Sequence, residues 1–345
     1  MSFVEREIRE QSAAAARFLD AEREHVEALA PHLLRTDVRY LLIASRGSSG
    51  NAARYAQYVL GSANRLPVAF STPSLYTLYD APPRLDGALV LGISQSGASP
   101  DVVSVLTEAR RQGRPTLAIT NAIDSTLGEA AEWTLPLHAG EEHAVAATKT
   151  YLNSIVAVAL LSAVLAGDAA RMNELLQAPD WIDAQVAASL AEADALDAYR
   201  EADGGAVLAR GVNLGTAFEI ALKIRELSGA PFEPFSSADL LHGPIAALAP
   251  ARPVIVVAPS GATLESIRES IPKLRERGSS VVVISDDAEL LAAADTQLPL
   301  VRAAPEWLSP LLTVIPGQVA ALRLATLRGG DVDHPAGLTK VTLTR

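Results

Sequence analysis

Residues 88–99 read ALVLGISQSGAS, in which a continuous apolar run is followed at once by a polar, glycine-containing turn. A similar stretch, RPVIVVAPSGATL, occupies residues 252–264, and Gly97 aligns with Gly261 at an offset of 164 positions. Both runs are apolar throughout instead of alternating, which is typical of strands buried on both faces of a parallel sheet. The two stretches therefore predict equivalent strands in two copies of one unit.

Two further pairs of apolar segments keep nearly the same offset. Residues 38–45 (VRYLLIAS) match residues 205–209 (GAVLA) at 164 positions, and an Arg-Gly dipeptide follows both. Residues 116–121 (TLAITN) match residues 281–286 (VVVISD) at 165 positions. Three strand-and-turn matches at nearly one offset indicate that the chain is a tandem duplication.

Helical patterns separate the predicted strands in each copy, for example over residues 100–112 and 264–277. Buried strands that alternate with helices predict a parallel sheet covered on both faces. We therefore expect an α/β chain of two tandem doubly wound parallel-sheet sandwiches. A helical arm is expected over residues 1–34, the first domain over 35–190 and the second domain over 191–345.

The composition is that of a folded protein. The chain has 345 residues, of which 49% are apolar and 20% charged, and a net charge of −11. This acidic balance argues against an extended surface for nucleic acid or anionic lipid, although a local pocket for a small anion remains compatible with it. The absence of cysteine excludes disulfides, thiolate metal sites and cysteine nucleophiles.

The sequence gives no sign of a membrane protein. Residues 1–11 alternate acidic and basic side chains and lack the apolar core of a signal peptide. The most apolar run, residues 155–166, is shorter than the roughly 20 residues that a spanning helix needs. We expect this run to be a buried helix, and we expect the protein to be cytoplasmic with no membrane partner.

Two polar loops follow predicted strands of the first copy, SRGSSG at residues 45–50 and SQSGAS at residues 94–99. Backbone N–H groups and the helix dipole favour an anion where a strand ends and a helix begins. Serine and glycine also make ordinary caps and turns. The second copy, however, has APSG at residues 258–261 and has lost most of the hydroxyls. One anion site per chain is therefore predicted.

The second copy contains Glu219, Lys223 and Glu226 at a spacing that puts them on one helix face. A solvated salt-bridge face would have the same spacing. His242 precedes a Gly-Pro turn and could equally be structural, and the polar residues 331–340 could form an ordinary frayed terminus. The sequence lacks H-E-x-x-H, an acidic calcium loop and a Walker lysine, so we expect neither a metal nor a cofactor.

Six motifs, taken together, carry a family resemblance. They are GSS at 47–49, SQSGAS at 94–99, EEHAVAATKTY at 141–151, FEIALKIRE at 218–226, DLLHGP at 239–244 and DVDHP with LTK within 331–340. In this order the chain resembles the sugar isomerase (SIS) domain family over nearly its whole length. Within that family it is most similar to the isomerase half of glucosamine-6-phosphate synthases and to their free-standing relatives.

The resemblance implies roles for particular residues. Glu226 matches the glutamate that moves a proton between C1 and C2, and Lys340 matches a lysine that meets the open-chain sugar. His242 matches the ring-opening histidine, which the family contributes from the partner subunit of a homodimer. The residues implied at the phosphate are Ser48, Ser49, Ser94, Gln95, Ser96 and Ser99. The residues implied in support of the sugar are Ala147, Glu219 and Lys223.

The sequence also departs from the synthase pattern. Ala147 stands where the synthases usually have serine, and Glu-Ile-Ala at residues 219–221 replaces the more usual Glu-Gly-Ala. Both changes leave the identity of the sugar open. The chain begins directly with its helical arm and has no cysteine. We therefore expect no glutaminase domain and no release of ammonia from glutamine by a cysteine nucleophile.

The resemblance implies an enzyme that converts glucosamine 6-phosphate to fructose 6-phosphate and ammonia, with aldose–ketose isomerisation at its centre. A desolvated carboxylate is a suitable base for the proton shift, and histidine suits the ring oxygen. Two alternatives remain enzymes, a fructosamine-6-phosphate deglycase and a galactosamine-6-phosphate deaminase/isomerase. The third is a sugar-phosphate sensor without catalysis. The presence of Glu226, His242 and Lys340 argues against that sensor.

Overall fold

The computed structural model of the chain describes residues 1–34, 37–248 and 250–340. These residues form ten strands, all paired in parallel. The strands are β1 (Tyr40–Ser45), β2 (Val68–Phe70), β3 (Ala88–Ile93), β4 (Thr116–Thr120), β5 (Trp133–Pro136), β6 (Gly205–Ala209), β7 (Phe232–Ser236), β8 (Pro253–Val257), β9 (Ser280–Ser285) and β10 (Thr296–Pro299).

Helices precede, separate and follow these strands. The α-helices are α1 (Phe3–Arg9), α2 (Gln11–Leu33), α3 (Gly47–Ala63), α4 (Ser74–Thr77), α5 (Pro100–Arg111), α6 (Thr126–Ala130), α7 (Lys149–Ala166), α8 (Ala169–Leu175), α9 (Ala178–Ala191), α10 (Leu214–Ser228), α11 (Ser237–Leu241), α12 (Leu264–Arg268), α13 (Ile271–Glu276), α14 (Ala288–Ala292) and α15 (Pro310–Leu327). Short 3₁₀ helices lie at Ala193–Tyr199, Gly211–Asn213, Pro244–Ala247 and Glu306–Leu308.

The two sheets have the same topology, which confirms the predicted fold class. The first sheet has the order β2-β1-β3-β4-β5, and the second has the order β7-β6-β8-β9-β10. In each sheet the order reverses between the first and third strands of the copy. Such a switch point is where doubly wound sheets bind ligands, at the carboxyl ends of the strands.

The chain divides into two compact units, each containing one sheet. Among the described residues, the first unit comprises Ala13–Glu142 and Lys149–Gln177 together with Thr339 and Lys340. The second unit comprises Met1–Ser12, His143–Thr148 and Ala178–Leu338. Each unit therefore includes short segments of the chain that lie outside its own copy in the sequence. Some of these segments contain residues of the site described below.

Equivalent strand positions supply equivalent apolar cores. Ala44 and Val90 are fully buried in a cluster between the first sheet and α5. Their counterparts Leu208 and Val254 are fully buried in a cluster between the second sheet and the helices that follow β8. Burial of such side chains contributes about 25 cal/mol per Å² of apolar area, so the apolar strands predicted from the sequence also contribute to the stability of each unit.

The structure differs from two predicted helices. Residues 264–277 form α12 and α13 instead of one helix, since Pro272 lies in the first turn of α13 and cannot donate a backbone hydrogen bond to a continuous helix. The N-terminal helical residues are likewise divided, because Glu10 ends α1 and α2 begins at Gln11.

The two most apolar helical stretches lie inside the fold. Lys149–Ala166 and Glu306–Leu327 are long and apolar enough to cross a membrane by length and composition, but 83% of each is buried in the protein. The core helices of soluble proteins have the same character. The buried helix predicted at residues 155–166 is thereby confirmed as part of α7.

Candidate functional site

The first polar loop joins β1 to α3 at the switch point of the first sheet. The chain turns at Gly47, whose φ of +52° lies in the left-handed region that glycine adopts without strain. Ser48 and Ser49 follow in the first turn of α3 and are partly buried. Because first-turn N–H groups have no acceptor within their own helix, this turn presents backbone donors beside the two hydroxyls.

The second polar loop joins β3, the neighbour of β1, to α5. The Gly97 N–H donates to Ser94 Oγ at 3.2 Å, and the Ala98 N–H donates to Ser96 Oγ at 3.4 Å. Gly97 has a φ of +61°, and a Cβ atom there would lie 1.9 Å from Ser125 Oγ. Only glycine therefore fits the turn that presents the serine hydroxyls.

Ser99 supplies a buried hydroxyl at the start of α5. Its side chain is only 9% exposed, and its Oγ has no hydrogen-bond partner within residues 1–34, 37–248 and 250–340. A buried hydroxyl without a partner is costly in a folded protein, and a bound ligand would remove that cost. Gln95 is partly exposed, and its backbone carbonyl accepts the Asn121 N–H at 3.1 Å.

An ion pair joins the two loops and was not expected from the sequence. Arg46 Nε donates to Asp101 Oδ2 at 3.0 Å, and the Asp101 side chain is almost fully buried. In the second copy Arg210 occupies the position of Arg46 and donates to Ser266 Oγ at 2.5 Å. The sequence feature that could have pointed to this arginine is the Arg-Gly dipeptide, which occurs in both copies. Arg46 thus bonds to α5, and Arg210 bonds to α12. In each copy the arginine connects its own loop to the helix that follows the other loop, and so holds the two loops together.

The equivalent loop of the second copy is filled by the protein's own carboxylates. The Ala262 N–H donates to Glu306 Oε2 at 3.0 Å, and the Ser260 N–H donates to Asp286 Oδ1 at 2.8 Å. A Cβ atom on Gly261 would lie 2.5 Å from Glu306 Cδ, so the carboxylate packs directly on the turn. These negative charges oppose a bound phosphate, which favours the first copy as the anion site.

The predicted charged face of α10 is buried and not solvated. Glu219 and Lys223 have side chains 0% and 1% exposed, whereas Glu226 is 24% exposed. The Lys223 ammonium donates to Glu226 Oε2, and it lies 3.5 Å from Glu219 Oε1. A solvated salt-bridge face is thereby excluded. The lysine instead orients a carboxylate that solvent can reach.

The Glu-Ile-Ala departure within α10 has a packing explanation. Ile220 is fully buried, and a Cβ atom on Gly317 of α15 would lie 2.2 Å from Ile220 Cγ1. The larger side chain at position 220 is therefore accommodated by a glycine on the neighbouring helix. This departure concerns the contact of two helices of the second unit.

His242 lies at the end of the short helix α11, directly before Gly243, and is exposed. Ser236 begins this helix and accepts the Asp239 N–H at 3.0 Å, which fixes where the helix starts. Gly243 has a φ of +135°, a conformation that other residues rarely adopt. The sequence therefore builds a defined turn that presents the imidazole at the surface of the second unit.

The structure brings Lys340 to Glu142, a residue that the sequence analysis quoted but did not select. Lys340 Nζ lies 2.9 Å from Glu142 Oε2, and the Glu142 side chain is fully buried. Thr150 donates to the same carboxylate from its hydroxyl at 2.7 Å and its backbone N–H at 3.1 Å. The sequence signal for Glu142 was its position in the EEHAVAATKTY motif. Within that motif only Ala147, which is partly exposed, was predicted as a site residue.

A cavity of about 820 Å³ opens beside this pair in the first unit. Most of the residues that line it are polar or charged, and they include Gln95 and Ser96 of the second polar loop. The other lining residues are Arg17, Ala21, Asn121, His138, Gly140, Glu141, Glu142 and Lys340. One wall of the cavity thus belongs to the loop with predicted phosphate residues, and another wall carries the Lys340 ammonium.

The turn before Lys340 is shaped by Asp331. Its carboxylate accepts the N–H groups of Asp333 and His334, both at 3.1 Å. These hydrogen bonds, led by that from His334, hold the pKa of Asp331 below its usual range. The polar segment is therefore an ordered turn over the described residues, and not a frayed terminus.

The predicted site residues fall into two groups. The six phosphate residues lie at the carboxyl edge of the first sheet, and Lys340 belongs to the same unit. Glu219, Lys223, Glu226 and His242 belong to the second unit, together with Ala147. Within the described ranges, no group of three or more His, Cys, Asp or Glu residues is arranged to hold a metal ion.

Comparisons with known proteins agree with these motifs. The SIS domain model matches residues 35–164 and 199–328. The glutamine–fructose-6-phosphate aminotransferase of Thermococcus kodakarensis is 30% identical over 98% of this chain and 57% of its own length. The Thermus thermophilus enzyme of the same name is 34% identical over 85% of this chain and 50% of its own length. The chain thus spans about half the length of the curated relatives it matches.

Solved structures match nearly the whole chain. A Silicibacter pomeroyi protein assigned as a phosphosugar isomerase is 31% identical, with a TM-score of 0.86 over 96% of this chain and 100% of that one. The glucosamine-6-phosphate deaminase of Thermotoga maritima is 20% identical, with a TM-score of 0.82 over 99% of this chain and 100% of its own. The tagatose-6-phosphate ketose/aldose isomerase of Escherichia coli is 21% identical, with a TM-score of 0.85 over 100% and 97%. At these last two identities the likeness concerns the fold alone.

Proposed function

Because the chain belongs to the SIS domain family, we propose that it is an enzyme that deaminates an amino-sugar phosphate by aldose–ketose isomerisation. The proposed substrate is glucosamine 6-phosphate, and the products are fructose 6-phosphate and ammonia. The observation that carries this proposal is the pairing of Glu226 with the buried Lys223. A carboxylate that contacts an ammonium group and remains 24% exposed is suited to accept a proton from a bound sugar.

The reaction follows from the chemistry of the open-chain sugar. Glu226 removes the proton from C2, beside the C1 aldehyde, while the aldehyde oxygen takes up a proton from water, which gives a 1,2-enaminol. The same carboxyl group returns a proton to C1, and the nitrogen releases a proton to water, so that the double bond lies between C2 and nitrogen as a ketimine. Water then adds to C2, ammonia leaves, and the ketose remains. One water molecule is consumed for each ammonia released, and the reaction needs no oxidant or reductant.

Lys223 supports this role of Glu226 by orienting it. Its ammonium group donates a hydrogen bond to Glu226 Oε2. This bond fixes the direction of the carboxylate, since Lys223 itself is held in the protein interior beside Glu219. A base that is oriented in advance loses less entropy when the substrate binds.

The phosphate group is proposed to bind where the two polar loops of the first unit meet. Ser99 supports this placement, because its buried hydroxyl has no partner in the described chain. Ser48, Ser49, Ser94, Gln95 and Ser96 provide further neutral donors at the carboxyl ends of β1 and β3. Phosphate binding far from C1 supplies the energy that positions the reacting carbons.

Ring opening is assigned to His242, and contact with the open chain to Lys340. The exposure of His242 on its turn fits the family arrangement, in which the histidine completes the site of a second copy. We therefore propose a homodimer in which His242 of the partner subunit serves each site. Glu142 holds the Lys340 ammonium at 2.9 Å and so sets where it meets the sugar.

The proposed reaction concerns the activity of these 345 residues, which contain no cysteine and so hold no thiol that could release ammonia from glutamine. Sugar phosphates and free ammonia are cytoplasmic metabolites, and we place the enzyme in the cytoplasm on this ground. No metal or cofactor enters the proposed reaction.

A second candidate is deglycation of a fructosamine 6-phosphate. The cavity of about 820 Å³ beside Lys340 favours it, because such a substrate carries a larger group on its nitrogen than glucosamine 6-phosphate does. A galactosamine 6-phosphate substrate would differ only in the configuration at C4.

The test is an ammonia-release assay over a panel of phosphosugars. Purified protein is incubated with glucosamine 6-phosphate, galactosamine 6-phosphate or a fructosamine 6-phosphate, and ammonia and fructose 6-phosphate are measured. We expect equal amounts of both products from glucosamine 6-phosphate, and about 10²–10⁴-fold slower release from the Glu226→Gln variant under the same conditions. Faster release from a fructosamine 6-phosphate would favour the second candidate. Absence of ammonia from every compound would contradict deamination.

A further inference from the structure

Glu7 is a buried acidic residue of α1 that the reaction described above does not use. Its side chain is fully buried beside Val4 and Ile8, on the face where α1 packs into the second unit. Burying a carboxylate is costly unless strong hydrogen bonds replace its lost hydration. An apolar side chain would pack this face at a lower cost in desolvation free energy. We therefore attribute the presence of a carboxylate here to the hydrogen bonds that it makes.

Those bonds go to the backbone of one short segment. Glu7 Oε1 accepts the His143 N–H at 2.5 Å, and Glu7 Oε2 accepts the Ala144 N–H at 3.3 Å. The ring of Phe3, one helical turn earlier in α1, lies 5.3 Å from the His143 ring. The helix thus contacts His143 through both its backbone and its side chain. Hydrogen bonds to a charged acceptor are the stronger kind in proteins.

The residue directly before this segment is Glu142, the partner of Lys340. Glu142 is held on its other side by Thr150, whose hydroxyl donates to it at 2.7 Å. The His143 N–H belongs to the planar peptide unit that also contains the Cα atom of Glu142, so the hydrogen bond from this N–H to Glu7 helps to fix the backbone of Glu142. Glu7 on one side and Thr150 on the other therefore determine where the Glu142 carboxylate lies.

The same helix also holds the chain that leads to Lys340. Asp333 Oδ1 accepts the Val4 N–H at 3.2 Å, in the first turn of α1. The Asp331 turn immediately before it keeps this stretch in a fixed shape. The helix α1 is thus bonded to both chain segments that converge on the Glu142–Lys340 pair.

We propose that Glu7 is a positioning residue, which places the Lys340 ammonium for its contact with the open-chain sugar by fixing the backbone next to Glu142. The inference rests on the proposed function for the role of Lys340, but the placement of Lys340 is measurable without turnover. Replacing Glu7 by glutamine keeps the size of the side chain. It leaves one neutral oxygen for both backbone donors, which Oε1 now contacts at 2.5 and 3.4 Å. It also puts an amide NH₂ at the position of Oε2, 3.3 Å from the Ala144 N–H, so two donors face each other and we expect the segment to shift.

The test uses Glu7→Gln, with Glu5→Gln on the same helix as its matched control. Glu5 bonds to Arg9 at the surface of α1, and the site includes neither residue. Lysine acylation, followed by mass spectrometry, reports the Lys340 ion pair, and the exposed Lys273 serves as the internal standard. We expect labelling of Lys340 relative to Lys273 to rise about three- to tenfold in Glu7→Gln and to stay unchanged in Glu5→Gln.

Kinetics then separate positioning from a loss of stability. We expect kcat of Glu7→Gln to fall about tenfold while KM changes less than about twofold, because the serine loops still hold the phosphate. In a Lys340→Ala background, Glu7→Gln should cause little further loss of kcat, since residues that act through one group are not additive. Asp333→Ala, which removes the Val4 contact, should raise Lys340 labelling in the same direction even if Glu7→Gln does not fold.

The outcomes are distinguishable. Unchanged Lys340 labelling in Glu7→Gln and in Asp333→Ala would overturn the inference, whatever the activity. Raised labelling with an unchanged kcat would also overturn it, since Glu7 would then be a structural residue only. If the wild-type protein turns over no phosphosugar, the proposed function fails, and the labelling result still decides whether Glu7 places Lys340.

Discussion

Glu306 occupies the turn after β8, where its Oε2 accepts the Ala262 N–H at 3.0 Å. In the first copy the equivalent amide, that of Ala98, donates to the Ser96 hydroxyl at 3.4 Å. The duplicated loops thus differ in charge as well as in their number of hydroxyls. An internal carboxylate accepts hydrogen bonds in the second loop, whereas the Ala98 amide of the first loop donates to a neutral hydroxyl.

This difference predicts one phosphate site per chain, at the first loop. Ser94→Ala should weaken the binding of fructose 6-phosphate about tenfold or more, because a hydrogen bond to a charged group is typically worth about 1.5–3 kcal/mol. Ser260→Ala is the matched control in the second loop and should leave the affinity unchanged. Isothermal titration calorimetry gives both the affinity and the stoichiometry. Two equivalents bound per chain, or equal effects of the two substitutions, would contradict a single site.

The turn at Gly97 allows a second prediction with an internal control. A Cβ atom at Gly97 would meet Ser125, whose Oγ begins α6 by accepting the Gly128 N–H. Gly113 has a similar positive φ of +68° but has nothing within 4 Å of its Cβ position. Gly113→Ala should cost about 1 kcal/mol of unfolding free energy through backbone strain alone.

Gly97→Ala should cost roughly 1–3 kcal/mol more, because the new methyl group is also overpacked against Ser125. It should in addition weaken fructose 6-phosphate binding, whereas Gly113→Ala should not. Urea denaturation and calorimetry measure the two quantities separately. If the two substitutions lowered the free energy of unfolding equally, the predicted steric clash between the new methyl group at position 97 and Ser125 would be contradicted.

The proposed homodimer, in which His242 of the partner subunit completes each site, predicts that two subunits share each active site. Glu226→Gln and His242→Ala should each be inactive as purified homodimers. In a heterodimer of the two variants, one of the two sites combines a native Glu226 with a native histidine from the other subunit. Random exchange of equal amounts should therefore restore about a quarter of the wild-type activity. Mass spectrometry confirms the exchange, and no recovery in a mixture with verified heterodimers would argue that each chain supplies both residues.

The sequence was sufficient to predict the architecture, because buried parallel strands have a recognisable composition. The matched runs at residues 88–93 and 253–257 became β3 and β8 of two sheets with one topology. Helix boundaries were less predictable. A proline such as Pro272 can lie in the first turn of a helix, or it can kink or break a longer helix. The sequence does not distinguish these two outcomes, and the structure shows the first of them, at the start of α13.

The charged residues of the site were harder to interpret from sequence. The spacing of Glu219, Lys223 and Glu226 predicts a shared face but does not reveal whether that face is buried. The structure decides this because α10 packs on α15, where Gly317 admits Ile220. Contacts between distant parts of the chain, such as Lys340 with Glu142, leave no periodic signal, since the two residues lie 198 positions apart.

The central claim is that Glu226 moves the proton between C2 and C1, and it is tested most directly by hydrogen exchange during turnover. Glutamine at this position keeps the shape of the side chain and removes the basic electron pair. In deuterium oxide, the wild-type enzyme should incorporate solvent deuterium at C1 of fructose 6-phosphate, as measured by NMR. Glu226→Gln should lose this incorporation, with kcat lowered about 10²–10⁴-fold and KM little changed. Near-normal turnover and exchange in Glu226→Gln would contradict the account, because another residue would then be the base.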